Sequence, residues 1–217
     1  MKDPHHGQPV LTLGPPPETA RLTMIMAHGR GASAEDMLGL AAEFRTTDVA
    51  FLAPQAAGRT WYPNTFLSPI QENEPWLTSA LGVIGSLVDG LIGRQIPAER
   101  IALIGFSQGA CLSLEFAARQ PRRYAAVVGL SGGLIGPPGT PRGYPGAFDG
   151  APVFLGCSDI DPHIPLARVQ ESAEVFRGMG ASVDERIYPR MGHTVNADEM
   201  GAVTGLLLSS VRHRSAT

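Results

Sequence analysis

The sequence predicts an α/β fold in which a mostly parallel sheet carries helices on both faces. Two observations predict it. Short apolar runs alternate along the chain with longer segments whose apolar residues have helical spacing, as expected for strands covered by helices. One apolar run, residues 101–104, passes through Gly-Phe-Ser-Gln-Gly directly into a helix-like stretch. This succession indicates a buried strand, a tight turn and a buried helix.

The length and composition fit one domain with its own core. The chain has 217 residues, of which 43% are hydrophobic. Residues 1–217 are therefore expected to form a single α/β domain. Its ends, at about residues 1–8 and 212–217, are expected to be flexible tails.

The charge and the apolar segments exclude several classes of partner. The net charge is −3 and no long basic run is present, so a nucleic-acid partner has no electrostatic support. The first residues lack the apolar core of a signal peptide, and no apolar run is long enough to span a bilayer. These features predict a cytoplasmic protein without stable membrane insertion, and they leave a homodimer open.

The cysteines and the other potential metal ligands predict neither a disulfide nor a cofactor. Cys111 and Cys157 fall in a predicted buried helix and a predicted buried strand, so a disulfide framework is not expected. No cluster of histidine, cysteine and aspartate has ligand spacing. We therefore expect no metal and no organic cofactor.

The first half of the chain is expected to contain three strands, two helices and one long loop. An edge strand at residues 10–13 precedes buried strands at 22–27 and 49–53. Ser33 is a suitable N-cap for a helix at 34–44, and apolar spacing predicts a second helix at 75–94. The loop between them, residues 55–75, is punctuated by glycine and proline, and such long loops are often functional.

The second half continues the alternation of strands and helices. Strands are expected at residues 101–104, 125–130, 153–156 and 183–188, the last of them an outer strand. Helices are expected at 110–118, 166–177 and 203–211, and residues 131–151 are expected to form a loop rich in glycine and proline. In a parallel sheet of this kind the reacting groups gather at the carboxyl ends of the strands.

Ser107 is the candidate nucleophile, because it lies in a Gly-x-Ser-x-Gly turn between a predicted strand and a predicted helix. Its backbone is expected to be strained so that the hydroxyl projects from the turn. Gly105 and Gly109 have no Cβ, which lets the strand and the helix approach closely. The start of the helix directs unpaired N–H groups and a positive dipole end at the reacting oxygen.

His193 is the candidate base for Ser107, since a free hydroxyl is a poor nucleophile and needs a neighbouring base. It lies just after the last predicted strand and before the last predicted helix. His163 is a second candidate. His28 directly follows a strand, where a histidine more often anchors the turn.

The acid that orients the base is expected in the loop after the strand at 153–156, where Asp159 and Asp161 both occur. Asp161 is favoured because it begins an Asp-Pro-x-Ile-Pro sequence that rigidifies the loop and opens the next helix. Whichever aspartate does not orient the base is expected to cap the loop through hydrogen bonds to its backbone.

Two backbone N–H groups are the candidate oxyanion donors. One belongs to Gln108, the residue after the nucleophile, and the other is expected in the loop after the strand at 22–27. There the N–H of Arg30 is favoured, with that of Gly31 as the alternative.

Together these segments resemble the phospholipase/carboxylesterase family, which includes the acyl-protein thioesterases. The resemblance covers nearly the whole chain in order and spacing, and its most specific part is Gly-Phe-Ser-Gln-Gly-Ala. It implies an α/β-hydrolase fold without a large cap domain and a triad of three residues in the order Ser107, Asp161 and His193. Members of this family hydrolyse carboxylic esters, lysophospholipids or thioesters.

Three departures from the family pattern bear on the substrate and on the acid. Arg30 stands where the thioesterases usually carry an apolar residue, which argues against a long lipid substrate. Gly156 is five residues ahead of Asp161, a longer spacing than usual. The family's tryptophan-containing loop is matched only loosely, by residues 59–62 of this sequence. Trp61 and Tyr62 in this loop are the candidate residues for the wall of the acyl pocket.

The sequence therefore predicts a serine hydrolase that cleaves carboxylic esters of small or medium acyl groups through an acyl-enzyme intermediate. Its substrate would be a small-molecule ester or thioester. A lysophospholipase or acyl-protein thioesterase is the alternative enzyme. A hydrolase with a cysteine nucleophile is disfavoured because the turn holds Ser107. A non-catalytic binding protein is less favoured because no triad member is missing.

Overall fold

The computed structural model describes residues 3–44 and 46–212. Its framework is a seven-stranded sheet with the order β1-β3-β2-β4-β5-β6-β7. Strand β1 is antiparallel to β3, and all other neighbouring strands are parallel. The strands are β1 (Val10–Leu13), β2 (Leu22–Ala27), β3 (Val49–Pro54), β4 (Ile101–Phe106), β5 (Ala126–Leu130), β6 (Pro152–Ser158) and β7 (Ser182–Tyr188).

In the part of the chain that the structure describes, five α-helices cover the two faces of this sheet, as expected for strands buried on both sides. Apolar residues of α1 and α5 pack on one face, and those of α2, α3 and α4 pack on the other. Within the described residues no large cap is inserted, so the expected fold class is confirmed. The helices are α1 (Ala34–Glu43), α2 (Trp76–Gly93), α3 (Gln108–Arg119), α4 (Leu166–Gly178) and α5 (Ala197–Arg212).

The register of the sheet brings the functional loops to one edge. Ala27 at the end of β2 pairs with Gly105 near the end of β4, so the loops after these strands leave the sheet side by side. β6 and β7 end together, with Ser158 opposite Tyr188. The order of the strands reverses between β2 and β4, which is where ligands bind in open α/β sheets.

The start of α5 is six residues earlier than the sequence predicts. Asn196 and Glu199 form a reciprocal cap: the Glu199 N–H donates to Asn196 Oδ1, and the Asn196 N–H donates to Glu199 Oε2. The first turn of α5 has no apolar spacing in the sequence, because its residues serve the cap and the surface.

Within the predicted flexible tail at residues 1–8, His5 is an exception. Its side chain is only 2% exposed, whereas Asp3, His6, Gly7 and Gln8 are exposed. A histidine among polar neighbours gives no apolar periodicity, so the sequence did not indicate this packing. Of the predicted tail at 212–217, Arg212 ends α5 and residues 213–217 lie outside the described residues.

Helix α2 also departs from an expectation, namely that no apolar run could span a bilayer. Its 18 residues have a mean hydropathy of 1.4, which by length and composition alone suffices for a membrane span. The core helices of globular proteins pass the same test, and α2 buries Leu77, Ile84 and Val88 in the core shared with α3 and α4.

Candidate active site

Ser107 lies in a strained turn between β4 and α3. Its backbone has φ 54° and ψ −119°, a conformation that few non-glycine residues adopt. The turn is tight because a Cβ on Gly105 would lie 2.1 Å from the carbonyl oxygen of Gly109, and a Cβ on Gly109 would lie 2.1 Å from that of Ala27. Only glycine fits at these two positions, in agreement with the sequence-based argument.

His193 joins Ser107 to Asp161 through both of its ring nitrogens. Its Nε2 is 2.8 Å from Ser107 Oγ, and its Nδ1 is 2.7 Å from Asp161 Oδ2. Since an ionised carboxylate only accepts hydrogen bonds, Nδ1 carries the proton and Nε2 is free to accept the hydrogen of the Ser107 hydroxyl. The arrangement can therefore move a proton from Ser107 to His193.

Asp161 is held in a fixed position by its own loop. Its side chain is fully buried, and Oδ1 accepts the N–H groups of His163 at 2.8 Å and Ile164 at 3.0 Å. Burial raises the pKa of Asp161, but the hydrogen bonds from His193, His163 and Ile164 outweigh burial and leave this pKa below its ordinary value. The carboxylate is thus ionised near neutral pH.

Asp159, the alternative acid, lies elsewhere in the same loop. Its Oδ1 accepts the backbone N–H of Arg190 at 2.7 Å, so it ties the loop after β6 to the loop after β7. The structure brings Asp161 to His193 and gives Asp159 the loop-capping contact.

The backbone N–H groups of Arg30 and Gln108 flank the nucleophile. Gln108 directly follows Ser107, and the loop that contains Arg30 is adjacent, because a Cβ on Gly29 would lie 3.4 Å from Ser107 Cβ. Among the described residues neither N–H has an acceptor, whereas the N–H of Gly31 donates to the Arg59 carbonyl at 2.8 Å. The alternative donor Gly31 is thus already occupied.

The side chains of Arg30 and Gln108 converge on one carbonyl, that of Tyr62. Arg30 Nη2 donates to it at 2.9 Å and Gln108 Nε2 at 2.8 Å, while Gln108 Oε1 accepts the Trp61 N–H at 2.9 Å. Arg30 also donates to the carbonyls of Pro63 and Asn64. These contacts link residues far apart in the chain and were not predicted from the sequence.

The guanidinium of Arg30 bonds backbone carbonyls of residues 62–64. The nearby carboxylate of Asp36 accepts instead from the N–H and hydroxyl of the N-cap Ser33. The side chain of Arg30 remains on the wall of the cavity beside Ser107.

A cavity of about 570 Å³ opens at Ser107. Its walls combine the loop of residues 62–68 with the loop after β6 and include Arg30, Tyr62, Asn64, Phe66, His163 and Ile164. Tyr62 also lines this cavity, with 1% of its surface exposed, and its role as a substrate contact stays a prediction. The expectation for Trp61 is wrong in this respect: its side chain is fully buried and is not part of the wall.

Trp61 serves instead as a packing residue behind the oxyanion loop. Its indole Nε1 donates to the carbonyl of His28 at 2.8 Å, and its ring lies 5.0 Å from the ring of His28. His28 is fully buried and accepts the Ala56 N–H at Nε2, which makes it an anchor of the turn and not a base. Burial lowers the pKa of His28 and favours its neutral form.

The side chains of His163 and Cys157 also contact the His193–Asp161 pair, and the sequence did not predict these contacts. The ring of His163 stands edge-on to that of His193 with 4.9 Å between centroids, so this second candidate base lies on the rim of the site. Cys157 Sγ is 3.8 Å from Asp161 Oδ2. Burial raises the pKa of Cys157 to about 12, which keeps it a thiol beside the carboxylate.

Comparisons with known proteins identify the family of this chain. Residues 12–209 match the family model for phospholipase/carboxylesterase. A crystal structure of a phospholipase/carboxylesterase from Dyadobacter fermentans is similar, with a TM-score of 0.89 and 40% identity over 94% of this chain and 97% of that chain.

Two curated relatives have the name acyl-protein thioesterase 1. The protein from Saccharomyces cerevisiae is 27% identical over 89% of this chain and 95% of its own length. The protein from Gibberella zeae is 30% identical over 56% of this chain, and the match spans 53% of that relative, about half its length. The family model accounts for nearly all of the present sequence, and the chain belongs to the phospholipase/carboxylesterase family.

Proposed function

We propose that the protein is a serine hydrolase that cleaves carboxylic esters of small or medium acyl groups. The observation that carries the proposal is the continuous hydrogen-bonded chain from Ser107 through His193 to Asp161. Membership of the phospholipase/carboxylesterase family supports the same chemistry.

Acylation begins when the Ser107 oxygen attacks the ester carbonyl carbon. His193 Nε2 takes the hydroxyl proton, and Asp161 stabilises the imidazolium that forms. The negative charge moves to the carbonyl oxygen, where the N–H groups of Arg30 and Gln108 donate to it. When the tetrahedral intermediate collapses, the bond to the alcohol oxygen breaks, and His193 returns its proton to that oxygen.

Deacylation repeats these steps with water as the nucleophile. His193 takes one proton from the water, and the resulting oxygen attacks the carbonyl carbon of the acyl-enzyme. The bond to the Ser107 oxygen then breaks, and His193 gives the proton back to that oxygen. The products are the free acid and the regenerated serine.

The cavity supports a substrate of limited acyl length. A volume of about 570 Å³ lies within the ordinary range of small-molecule sites. Tyr62, Phe66 and Ile164 contribute apolar groups to the lining, and Arg30 and Asn64 contribute polar groups. A small or medium acyl group therefore fits this lining better than a long lipid chain.

A thioester substrate is the second candidate. Two relatives described above have the name acyl-protein thioesterase 1, and one of them matches over 95% of its own length. The same attack on a thioester carbonyl expels a thiolate, which needs less help from the general acid because a thiol is more acidic than an alcohol.

A panel of p-nitrophenyl esters and matched acyl thioesters, with acyl chains of two to sixteen carbons, tests this proposal. We expect kcat/KM to peak at short or medium chains and to fall for the longest. Ser107→Ala should reduce every rate to background. No hydrolysis of any substrate by a folded protein would contradict the proposed function, and a peak at sixteen carbons would contradict the proposed substrate size.

A further inference from the structure

The N-terminal segment contacts the long loop that shapes the active site. Residues 3–8, which we call the N-terminal strap, are fixed to α2 through Ser79. The Ser79 hydroxyl bonds the Asp3 carboxylate and accepts the N–H of His5 at 3.0 Å. The strap is thus attached at its first described residues.

His5 occupies the centre of this attachment. Its ring is buried between the rings of Trp61 and Trp76, each with a centroid distance of 5.4 Å. Its Nε2 is 2.9 Å from the Trp61 carbonyl, and its Nδ1 accepts the Ala57 N–H at 3.1 Å. A carbonyl can only accept and an N–H can only donate, so both bonds require the neutral ring with its proton on Nε2.

The Trp61–Tyr62 segment transmits this contact to the oxyanion residues. The Trp61 N–H donates to Gln108 Oε1, and the Tyr62 carbonyl accepts from both Gln108 and Arg30. His5 therefore bonds the same Trp61–Tyr62 segment that the side chains of Arg30 and Gln108 bond. A shift of Trp61 would move the side chains of Gln108 and Arg30 with it.

We propose that His5 is a positioning residue for the oxyanion site, acting through the Trp61–Tyr62 segment on Gln108 and Arg30. The inference rests on the proposed function, because the backbone N–H groups of Arg30 and Gln108 act as oxyanion donors only in the hydrolase mechanism. His5 does not contact the reacting atoms. Through the side chains of Gln108 and Arg30 it holds the two residues whose backbone N–H groups are the donors, which matters most when charge develops on the carbonyl oxygen.

The test is the kinetics of His5→Ala on a short neutral ester, with kcat expressed per titratable Ser107. A fluorophosphonate titrates the active sites, so partly unfolded protein does not enter kcat. We expect kcat per site to fall about tenfold with KM within about twofold, because oxyanion donors act mainly in the transition state. A purely structural role would reduce the number of titratable sites and leave kcat per site unchanged.

Three further variants sharpen this test. His5→Gln keeps one donor and one acceptor and should recover most of kcat. Ser79→Ala removes only the hydroxyl that holds the strap to α2, and we expect a fall of about threefold; it also serves if His5→Ala does not fold. His6→Ala changes the neighbouring exposed histidine and should leave kcat unchanged.

An unchanged kcat per site in His5→Ala would overturn the proposal, as would an equal loss in His6→Ala. If His5→Ala does not fold, an unchanged kcat per site in Ser79→Ala would overturn it. Failure of the proposed function itself is distinguishable, since the wild-type protein would then show neither titratable Ser107 nor turnover.

Discussion

Ser107 occupies a backbone conformation that costs about 1–3 kcal/mol for a non-glycine residue. The neighbouring structure enforces it: the Ser107 N–H donates to the Leu130 carbonyl on β5, and the Ser107 carbonyl accepts the Cys111 N–H in α3. The strained residue is thus the one whose hydroxyl must project from the sheet. In this protein backbone strain and reactivity fall on the same residue.

Substituting Asp161 tests whether this residue, and not Asp159, is the acid that orients His193. Asp161→Asn should lower kcat by about 10⁴, because an amide cannot stabilise the imidazolium and can place His193 in the wrong tautomer. The measurement is kcat on a short p-nitrophenyl ester, with folding checked by circular dichroism.

Asp159→Asn is the matched control for that experiment. Asp159 contacts the Arg190 N–H rather than His193, so we expect a change in kcat of less than about threefold. The opposite ranking of the two variants would transfer the role of the acid to Asp159.

The catalytic side chains could be located from the sequence because each follows a strand. Ser107, Asp161 and His193 were predicted on that basis, and the structure brings all three together. The contacts that the side chains of Trp61 and Arg30 make could not be predicted. Whether Trp61 faces the cavity or packs behind it, and which carbonyls Arg30 reaches, depends on the path of an irregular loop that has no periodicity.

At the scale of elements, the shape of the loop at residues 57–66 depends on hydrogen bonds from side chains outside the loop. Its carbonyls at Trp61, Tyr62, Pro63 and Asn64 accept hydrogen bonds from side chains elsewhere in the chain. A loop of this length has few hydrogen bonds of its own, so distant side chains determine its shape.

Arg30→Ala removes three of these hydrogen bonds at once. We expect kcat/KM for a neutral short ester to fall about five- to tenfold, because the cavity wall loosens while the backbone N–H of residue 30 remains. Arg30→Lys should not restore the value, since an ammonium lacks the planar fork that reaches several carbonyls.

The control for this prediction is Arg123→Ala, which removes the same charge at an exposed position away from the cavity. Its kcat/KM should equal that of the wild type. Full activity of Arg30→Ala would show that the guanidinium is not needed to hold residues 62–64.

Most strands and helices were predicted correctly because buried elements have long apolar runs or clear periodicity. The two clear misses, the start of α5 and the N-terminal strap, have a common cause. Both are fixed by polar side chains, Asn196 and Glu199 in one case and His5 in the other. Polar contacts between distant residues leave no periodic pattern in a sequence.

At the scale of the whole molecule, three buried ionisable groups make stability depend on pH in opposite directions. Burial lowers the pKa of His5 and of His28, so their contribution to stability is lost as the pH falls below about 6.5, where the unfolded chain takes up protons first. Burial raises the pKa of Glu199 to about 7. Its contribution is lost as the pH rises from about 4.3 to 7, where only the unfolded chain releases the proton.

Glu199→Gln isolates one of these contributions. The amide keeps an acceptor for the Asn196 N–H but carries no charge, and Glu199 Oε1 has no hydrogen-bond partner among the residues that the structure describes. We expect the variant to gain about 1–3 kcal/mol relative to the wild type between pH 5 and pH 8. Urea unfolding at the two pH values measures this, and a difference that does not change with pH would contradict the assignment.

Several properties of the whole protein stay predictions. The cytoplasmic location and the lack of a nucleic-acid partner and of stable membrane insertion are expected from charge and composition, and a homodimer stays open.

The central claim is that Ser107 is the nucleophile of a covalent hydrolase, and active-site labelling tests it most directly. The protein is treated with a fluorophosphonate, digested and analysed by mass spectrometry, with Ser107→Ala in parallel. The account predicts one adduct per chain, on the peptide that contains Ser107, with loss of esterase activity in proportion to labelling and no adduct in the variant. Labelling of Ser107→Ala to the same extent, or esterase activity that survives complete labelling, would contradict the account.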